Sequence, residues 1–291
     1  MYKIITRIIL VFFVSLVFCS EDEKYTFQYT FDYPEDGTEY IERWQHETEW
    51  SFDVPGIGYV KYASSYISVS QYLGQEDGFY KFKSTVTDME SDNSVNNIIL
   101  KDYYREAMEG NPCYIYVKID GNGLIDHVLP VDSEDAYLQE AYEDAYMGLA
   151  PINYRYPLGR LAQNISEGGS WISSDDSLKF YVGIGSPPSW WWSKAVWYLK
   201  DVKDKRGIKT AYIDGIDEIR TEMNLTIDIY DERRVISGSA TGKRNVKLRW
   251  DVENTGEIFS RTRVQLRGDF EMDGEIFSSK FYYNLFTKRV K

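Results

Sequence analysis

The chain has few of the residues on which metal sites and catalytic bases usually depend. Its 291 residues include two histidines, His46 and His127, and two cysteines, Cys19 and Cys113. The histidines do not have a metal-ligand spacing such as His-x-x-x-His, so the sequence predicts neither a metal nor another cofactor. A Ser–His–Asp triad would need one of these two histidines as its base. We therefore assign no catalytic residues.

Positive charge is also scarce, and disulfide bonds are not expected to hold the fold. Cys113 has no partner in the chain if Cys19 is removed or modified, so stability must come from an ordinary core. The 33 Lys and Arg face 46 Asp and Glu, which gives a formal net charge of −13. Such a surface repels phosphate backbones and anionic headgroups. The composition therefore predicts no nucleic-acid partner.

Long apolar runs are absent after residue 19. Before it, Lys3 and Arg7 precede an apolar run over residues 8–18, and three acids follow at residues 21–23. The run is shorter than the roughly 20 residues of a membrane-spanning helix. A positive flank, a short apolar core and a polar boundary are typical of a secretory signal. We predict a signal peptide over residues 1–19 and an exported domain over residues 20–291, with an uncleaved membrane anchor as the alternative.

The end of this segment allows two outcomes. Residues 16–19, Leu-Val-Phe-Cys, resemble the bacterial lipoprotein box, in which the cysteine is lipidated and becomes the mature N-terminus. That makes Cys19 a lipidation candidate, whereas Phe18 stands where the box normally has a small residue. The alternative is ordinary cleavage near Cys19 or Ser20. The predicted location is periplasmic, attached to the outer membrane or extracellular, and contact with a membrane is expected only through an N-terminal lipid anchor.

The mature part has the period-two alternation of β-strands. Tyr25, Phe27, Tyr29 and Phe31 share one face, and the pattern returns over residues 38–52, 59–73 and 78–88. Residues 113–119 and 124–129 predict a hairpin. Further predicted strands are 177–185, 197–202, 208–213, 218–230, 234–241, 247–252, 257–267 and 276–286.

One segment has helical spacing instead. Apolar residues recur every three or four positions over residues 133–149, after a capping residue at Asp132. We expect a mainly β fold with one covering helix. The sheet is expected to be a curved antiparallel sheet or an open β-barrel, with two β lobes divided near residues 150–165 as the second arrangement.

Three consecutive tryptophans, Trp190, Trp191 and Trp192, follow two prolines. They cannot all face one side of a strand, so we predict that at least one points away from the local core. Exposed aromatic rings beside rigid prolines suit stacking on a sugar, a position at a membrane interface or contact with a partner. These three residues are the candidate ligand-binding site. The alternative is a loop that folds its tryptophans over the open end of the core.

Several short stretches carry a resemblance. Residues 116–125 read Tyr-Val-Lys-Ile-Asp-Gly-Asn-Gly-Leu-Ile, residues 165–171 contain Gly-Gly-Ser-Trp, and residues 250–258 end in Asn-Thr-Gly-Glu-Ile. Their order is similar to a group of uncharacterised bacterial exported β-sheet proteins, many of them lipoproteins. The resemblance implies a β fold and an exported location but no reaction. A looser fold analogy is to the half-barrel lipoprotein carriers of the bacterial envelope, which hold acyl chains in a curved sheet.

Three functions follow as hypotheses. The first is a non-enzymatic envelope or secreted protein that binds a hydrophobic ligand or a protein partner. The second is a carbohydrate-binding or adhesion module that uses Trp190, Trp191 and Trp192 to bind a glycan. The third is a carboxylate-dependent hydrolase, for which no pair can be chosen among 46 acids.

Overall fold

The computed structural model describes residues 23–27, 41–99, 103–118, 124–131, 139, 162–180, 186–229, 232–254 and 256–290. These residues form long antiparallel β-strands and one short helix. The strands are β1 (Lys24–Phe27), β2 (Ile41–Val54), β3 (Gly58–Glu76), β4 (Phe79–Ser91), β5 (Ser94–Val95), β6 (Ile98–Ile99), β7 (Cys113–Lys118), β8 (Leu124–Pro130), β9 (Ala162–Ser166), β10 (Ser170–Phe180), β11 (Ser189–Lys205), β12 (Ile208–Ile229), β13 (Glu232–Asp251), β14 (Gly256–Met272) and β15 (Glu275–Val290). The helix α1 spans Tyr103–Met108.

Most strands belong to one 13-stranded sheet. Its order is β10-β11-β12-β13-β14-β15-β2-β3-β4-β7-β8, with β5 and β6 attached beside β3. Because β15 pairs with β2, the strands on the two sides of residues 150–165 continue one sheet. Among the described strands the two ends, β10 and β8, do not pair, so the sheet is not a closed barrel. A separate ribbon pairs β1 with β9.

One face of the sheet, here called the inner face, carries the core. Alternate residues of β12–β15 point inward and are buried, which is the period-two pattern expected of a half-buried strand. They form two apolar clusters. The larger includes Phe52, Trp191, Ile219, Leu225, Ile236, Leu266, Phe281 and Leu285. The smaller includes Tyr25, Phe27, Trp171, Trp197, Leu199, Ile213, Leu248 and Trp250, so the β1–β9 ribbon contributes to it.

A buried ion pair separates the two clusters. Asp217 on β12 and Arg244 on β13 are direct cross-strand partners, and their side chains are 0% and 3% exposed. The Arg244 guanidinium also lies 5.4 Å from the centre of the Trp191 ring. On β12, Ile213 belongs to the smaller apolar cluster and Ile219 to the larger one. The inward positions between them are Gly215 and Asp217.

Two glycines allow neighbouring strands to approach closely. A Cβ added at Gly242 on β13 would overlap the backbone carbonyl of Gln265 on β14. A Cβ at Gly215 on β12 would overlap the ring of Trp197. Glycine inside a strand marks this kind of contact. Both positions lie in mid-strand, so the predicted breaks between residues 213 and 218 and between 241 and 247 are wrong.

The predicted fold class is confirmed in its main part. The protein is mainly β and antiparallel, and β7 pairs with β8 as the predicted hairpin. The helix predicted over residues 133–149 lies outside the described residues apart from Gln139, so the described structure gives no support to a covering helix. The described helix α1 is only 6 residues long. In the ranges given above, no helix is long and apolar enough to cross a membrane.

Candidate functional site

The inner face changes character between the C-terminal strands and β2–β3. On β12–β15 the inward side chains are mostly apolar and buried. On β2 and β3, aromatic rings alternate with small polar groups, and most of the rings are only partly buried. The inward residues here are Trp44, His46, Thr48, Trp50, Tyr62, Ser64, Tyr66 and Ser68. This part of the sheet can offer one ligand both apolar ring surface and hydrogen-bonding groups.

The aromatic rings form a stacked group. Trp50 and Tyr62 are cross-strand partners, and their ring centres lie 4.1 Å apart at an interplanar angle of 11°. Phe52 continues the stack, 5.6 Å from Trp50 at 13°. Parallel stacking at these distances is favourable beyond the burial of area and holds the rings in one orientation. The partly buried side of Trp50 and Tyr62 is therefore a preformed apolar surface.

His46 lies next to this stack and is held by two contacts. Its Nε2 atom is 2.8 Å from the Ser68 hydroxyl oxygen, and its ring stacks on Tyr66 with centres 4.7 Å apart. Burial lowers the pKa of His46 from 6.5 to about 4. The imidazole is thus uncharged at neutral pH. It serves as a hydrogen-bonding group rather than as a cation.

Two buried hydroxyl groups in the same area have no hydrogen-bond partner among the described residues. They are Thr48 Oγ1 and the phenol of Tyr283, which lies opposite Trp50 on β15. Burial raises the pKa of Tyr283, so the phenol keeps its proton and remains a donor. A buried hydroxyl left unpaired costs about 1–3 kcal/mol. A polar group that formed a hydrogen bond with either hydroxyl would recover that energy.

A second hydrogen-bonded group borders the site on β14 and β15. The Thr287 hydroxyl donates to Glu257 Oε1 at 2.7 Å, and the Ser260 and Thr287 hydroxyl oxygens lie 2.6 Å apart. Glu257 is 5% exposed, and burial raises its pKa. Thr287 is also the cross-strand partner of His46. Polar side chains therefore continue across the inner face from β14 to β3.

We refer to His46, Thr48, Tyr66, Ser68 and Tyr283 as the polar band. It supplies hydroxyl and imidazole groups without a net charge, beside the Trp50–Tyr62 stack. Such a surface suits a ligand with an apolar body and one hydrogen-bonding group. Among the described residues, no three His, Cys, Asp or Glu side chains lie close enough together to hold a metal ion.

The candidate tryptophans lie in strand β11, not in a loop. Trp191 points inward and is 3% exposed, whereas Trp190 points outward and is 37% exposed. Trp192 shares the outer face, 5.4 Å from the guanidinium of Arg220. The prediction that the three cannot face one side is confirmed. Their role in ligand binding stays a prediction.

The other predicted residues are spread over the chain. Cys19 lies outside the described residues. His127 lies in β8 opposite Tyr116. Cys113 is fully buried, and burial raises the pKa of its thiol. Sequence reasoning found the strand that carries His46 but missed Ser68, Thr48 and Tyr283, because only the pairing of the strands brings these residues together.

Comparison with known proteins gives no guide to this site. No protein-family model matches the chain, and no curated protein shows significant similarity to its sequence.

Proposed function

We propose that this chain is an exported, non-enzymatic protein that binds a hydrophobic ligand with one polar group on the inner face of β2 and β3. The observation that carries the proposal is the pair of buried, unpartnered hydroxyls of Thr48 and Tyr283 beside the Trp50–Tyr62 stack. The rings would contact the apolar body of the ligand, and the polar band would bind its polar group. A helix over residues 133–149 that covers this face remains part of the proposal, as does lipidation at Cys19.

Removing either hydroxyl group tests the proposal, because the removal should leave stability equal or higher but should weaken ligand binding. Thr48→Val and Tyr283→Phe each remove a buried unpartnered hydroxyl with little change in shape. The free energy of unfolding should stay the same or rise by up to about 1 kcal/mol. Ligand affinity should fall roughly 5- to 10-fold for each lost hydrogen bond, which corresponds to about 1–1.4 kcal/mol.

The measurement is fluorescence titration of the purified protein with cis-parinaric acid, a fluorescent fatty acid. Thr241→Val is the matched control, because Thr241 is an exposed residue on the outer face of β13. We expect saturable uptake that weakens in the two inner-face variants and not in the control. Absence of saturable uptake, or equal uptake by all four proteins, would exclude the inner face as a fatty-acid site.

A second candidate function is favoured by one distance. The 2.8 Å contact between His46 Nε2 and the Ser68 hydroxyl is within the range of a nucleophile and its base. Two features weigh against a hydrolase. A base with a pKa of about 4 is poorly matched to neutral pH, and the described residues place no carboxylate in a hydrogen bond with the second ring nitrogen. Labelling of Ser68 by a fluorophosphonate probe would reverse this ranking.

The alternative function of glycan binding has two tryptophan rings on one face to use, rather than all three candidate tryptophans. Trp190 and Trp192 share the outer face of β11, whereas Trp191 is part of the larger apolar cluster. A glycan could therefore stack on two rings at most. Glycan-array binding that is lost in Trp190→Ala and retained after substitution of Tyr59, an exposed outer-face aromatic on β3, would favour this alternative.

A further inference from the structure

The acidic charge of the chain is unevenly distributed over the sheet. Residues 243–249 of β13, 259–267 of β14 and 280–288 of β15 contain no acid. Their charged side chains on the outer face are all cations, and all are exposed. These cations, here called the cationic strip, are Lys243, Lys247, Arg249, Arg261, Arg263, Arg267, Lys280 and Lys288. A protein with a net charge of −13 thus has one strongly positive surface.

The pairing of the strands places like charges directly opposite each other. Lys247 is the cross-strand partner of Arg261, and Arg267 is the partner of Lys280. Like charges in this position destabilise a sheet by a few tenths of a kcal/mol to about 1 kcal/mol. Within the described part of the chain, none of the eight cations forms an ion pair with a carboxylate. The Arg267–Lys280 pair therefore carries a cost that an anionic partner would relieve, whereas Lys247 also lies opposite Asp214, which offsets part of the cost of its pair with Arg261.

Carboxylates border the strip on both sides. On β12, Glu218 and Asp214 lie opposite Lys243 and Lys247. On β2, Glu47 lies beside Phe286 of β15. At a strand spacing of about 4.8 Å, the three cationic strands are only about 10 Å wide from axis to axis. Along β14, the seven residues from Arg261 to Arg267 extend over roughly 20 Å.

Because the cationic strip is narrow and has acids on both sides, it favours a narrow, linear anionic partner. A planar anionic membrane or a nucleic-acid duplex about 20 Å wide would place its phosphates against the bordering carboxylates. A single polymer chain lying along β14 would contact Arg263 and Arg267 away from the bordering acids. At Arg261 it would meet acids, because Arg261 lines a surface pocket together with Glu47 and Glu49. A single-stranded nucleic acid would also need free aromatic faces for its bases.

The aromatic rings of the strip do not offer such faces. The guanidinium of Arg249 lies 4.7 Å from the centre of the Phe259 ring, and Phe286 packs edge-on against the same ring at 5.3 Å. Tyr282 is exposed by 41%, which leaves one open ring among the cations. One ring between charged groups fits a sugar better than a series of stacked bases.

We propose that the cationic strip binds a single chain of an acidic polysaccharide, laid along β14. Carboxylate or sulfate groups of the polymer pair with Arg261, Arg263 and Arg267, and Lys280 and Lys288 contribute from β15. This surface is on the face opposite the polar band, so the inference does not depend on the proposed function.

The test uses fluorescence anisotropy of a labelled heparin octasaccharide and of labelled polygalacturonate oligomers, at several salt concentrations. The variant is the triple substitution R261Q/R263Q/R267Q. Its matched control is K203Q/K205Q/R206Q at the β11–β12 turn, which removes the same charge from exposed positions. We expect the triple variant to lose at least 30-fold in affinity, and the control less than 3-fold. The slope of log K against log salt should fall by about 2, if each of the three contacts contributes roughly 0.7 as in single-stranded nucleic acids.

Circular dichroism melting is the folding control, because removing like-charge pairs should leave stability equal or higher. Three results would overturn the proposal. One is no polysaccharide binding at 50 mM salt, and another is an equal loss in the two triple variants. The third is tighter binding of a labelled oligothymidine, of vesicles with anionic lipid, or of a second copy of the chain as a salt-sensitive dimer in light scattering.

Discussion

The buried Asp217–Arg244 pair allows a quantitative test of how the inner face is held together. Both side chains are almost fully buried between two apolar clusters. Removing one partner leaves the other charge without compensation in a medium of low polarity. Loss of one member of a buried pair typically costs about 3–5 kcal/mol. We expect Arg244→Met to lower the free energy of unfolding by that amount, even though methionine fills much of the space.

Replacing both residues should cost far less than the sum of the single changes. In Asp217→Val/Arg244→Met no buried charge remains, and hydrophobic replacement of a buried pair is often close to neutral. The double-mutant cycle should therefore give a coupling of roughly 3 kcal/mol or more. Such a value would show that the pair matters chiefly because neither charge can remain alone.

Urea unfolding followed by circular dichroism measures these energies, with tryptophan fluorescence as a second probe of two-state behaviour. At an m-value of about 3 kcal/mol/M, the single variant should shift the midpoint by roughly 1 M or more. Arg263→Met is the control, because Arg263 is exposed on the outer face of the next strand. Equal midpoints for Arg244→Met and Arg263→Met would refute the reasoning.

Three further predictions concern single residues. The pKa of His46 is lowered to about 4 in the folded protein, so between about pH 6.5 and 4 the unfolded chain binds more protons than the folded one. The free energy of unfolding should therefore decrease by up to about 3 kcal/mol as the pH is lowered through this range. The raised pKa of Glu257 has the opposite effect on stability, but this effect is the same in the wild type and in His46→Gln. Urea unfolding at pH 7.5 and at pH 4.5 should therefore show a smaller loss of stability on acidification in His46→Gln than in the wild type. Gly242→Ala should lose about 1–3 kcal/mol in the same assay, whereas Gly256→Ala, where the nearest atom to an added Cβ is 3.7 Å away, should be nearly neutral. Cys113 should resist thiol reagents at pH 8 in the folded protein and react in 8 M urea, as peptide mass spectrometry can show; fast labelling of the folded protein would contradict its burial.

The period-two alternation was sufficient to predict the strands and the faces of many residues. His46 was in phase with Trp44 and Trp50 in the sequence, and all three point inward in the structure. The alternation over residues 113–119 and 124–129 likewise predicted the β7–β8 hairpin. A strand has only two faces, so local sequence carries enough information for this step.

Strand length could not be predicted in the same way. Gly215 and Gly242 look like breaks between short strands, because glycine is unfavourable in strand interiors and common in turns. In the structure β12 and β13 run through them for 22 and 20 residues. The glycines are required by contacts with Trp197 and with the backbone at Gln265, which are on other strands. Local sequence cannot distinguish a glycine in a turn from one that makes room for a neighbour.

The candidate site depends on register, which the sequence leaves open. Ser68 meets His46 across 22 positions, and Tyr283 reaches the same face from the other end of the chain. A shift of one residue in the pairing of β2 with β3 would send Ser68 to the outer face. Each residue could be assigned to a strand, but their meeting could not be predicted.

The net charge of the chain is a poor guide to which partners its surface can bind, and the reason is electrostatic screening. The value of −13 sums over the whole chain, whereas exposed charges are screened beyond about 8 Å at physiological ionic strength. A bound polymer chain on β14 therefore interacts mainly with Arg261, Arg263, Arg267 and their immediate neighbours. The three acid-free segments were visible in the sequence, but their cations become one surface only through the pairing of β13, β14 and β15. The acidic composition still weakens the long-range attraction of a polyanion, so binding at the strip should be slow to form and strongly dependent on salt.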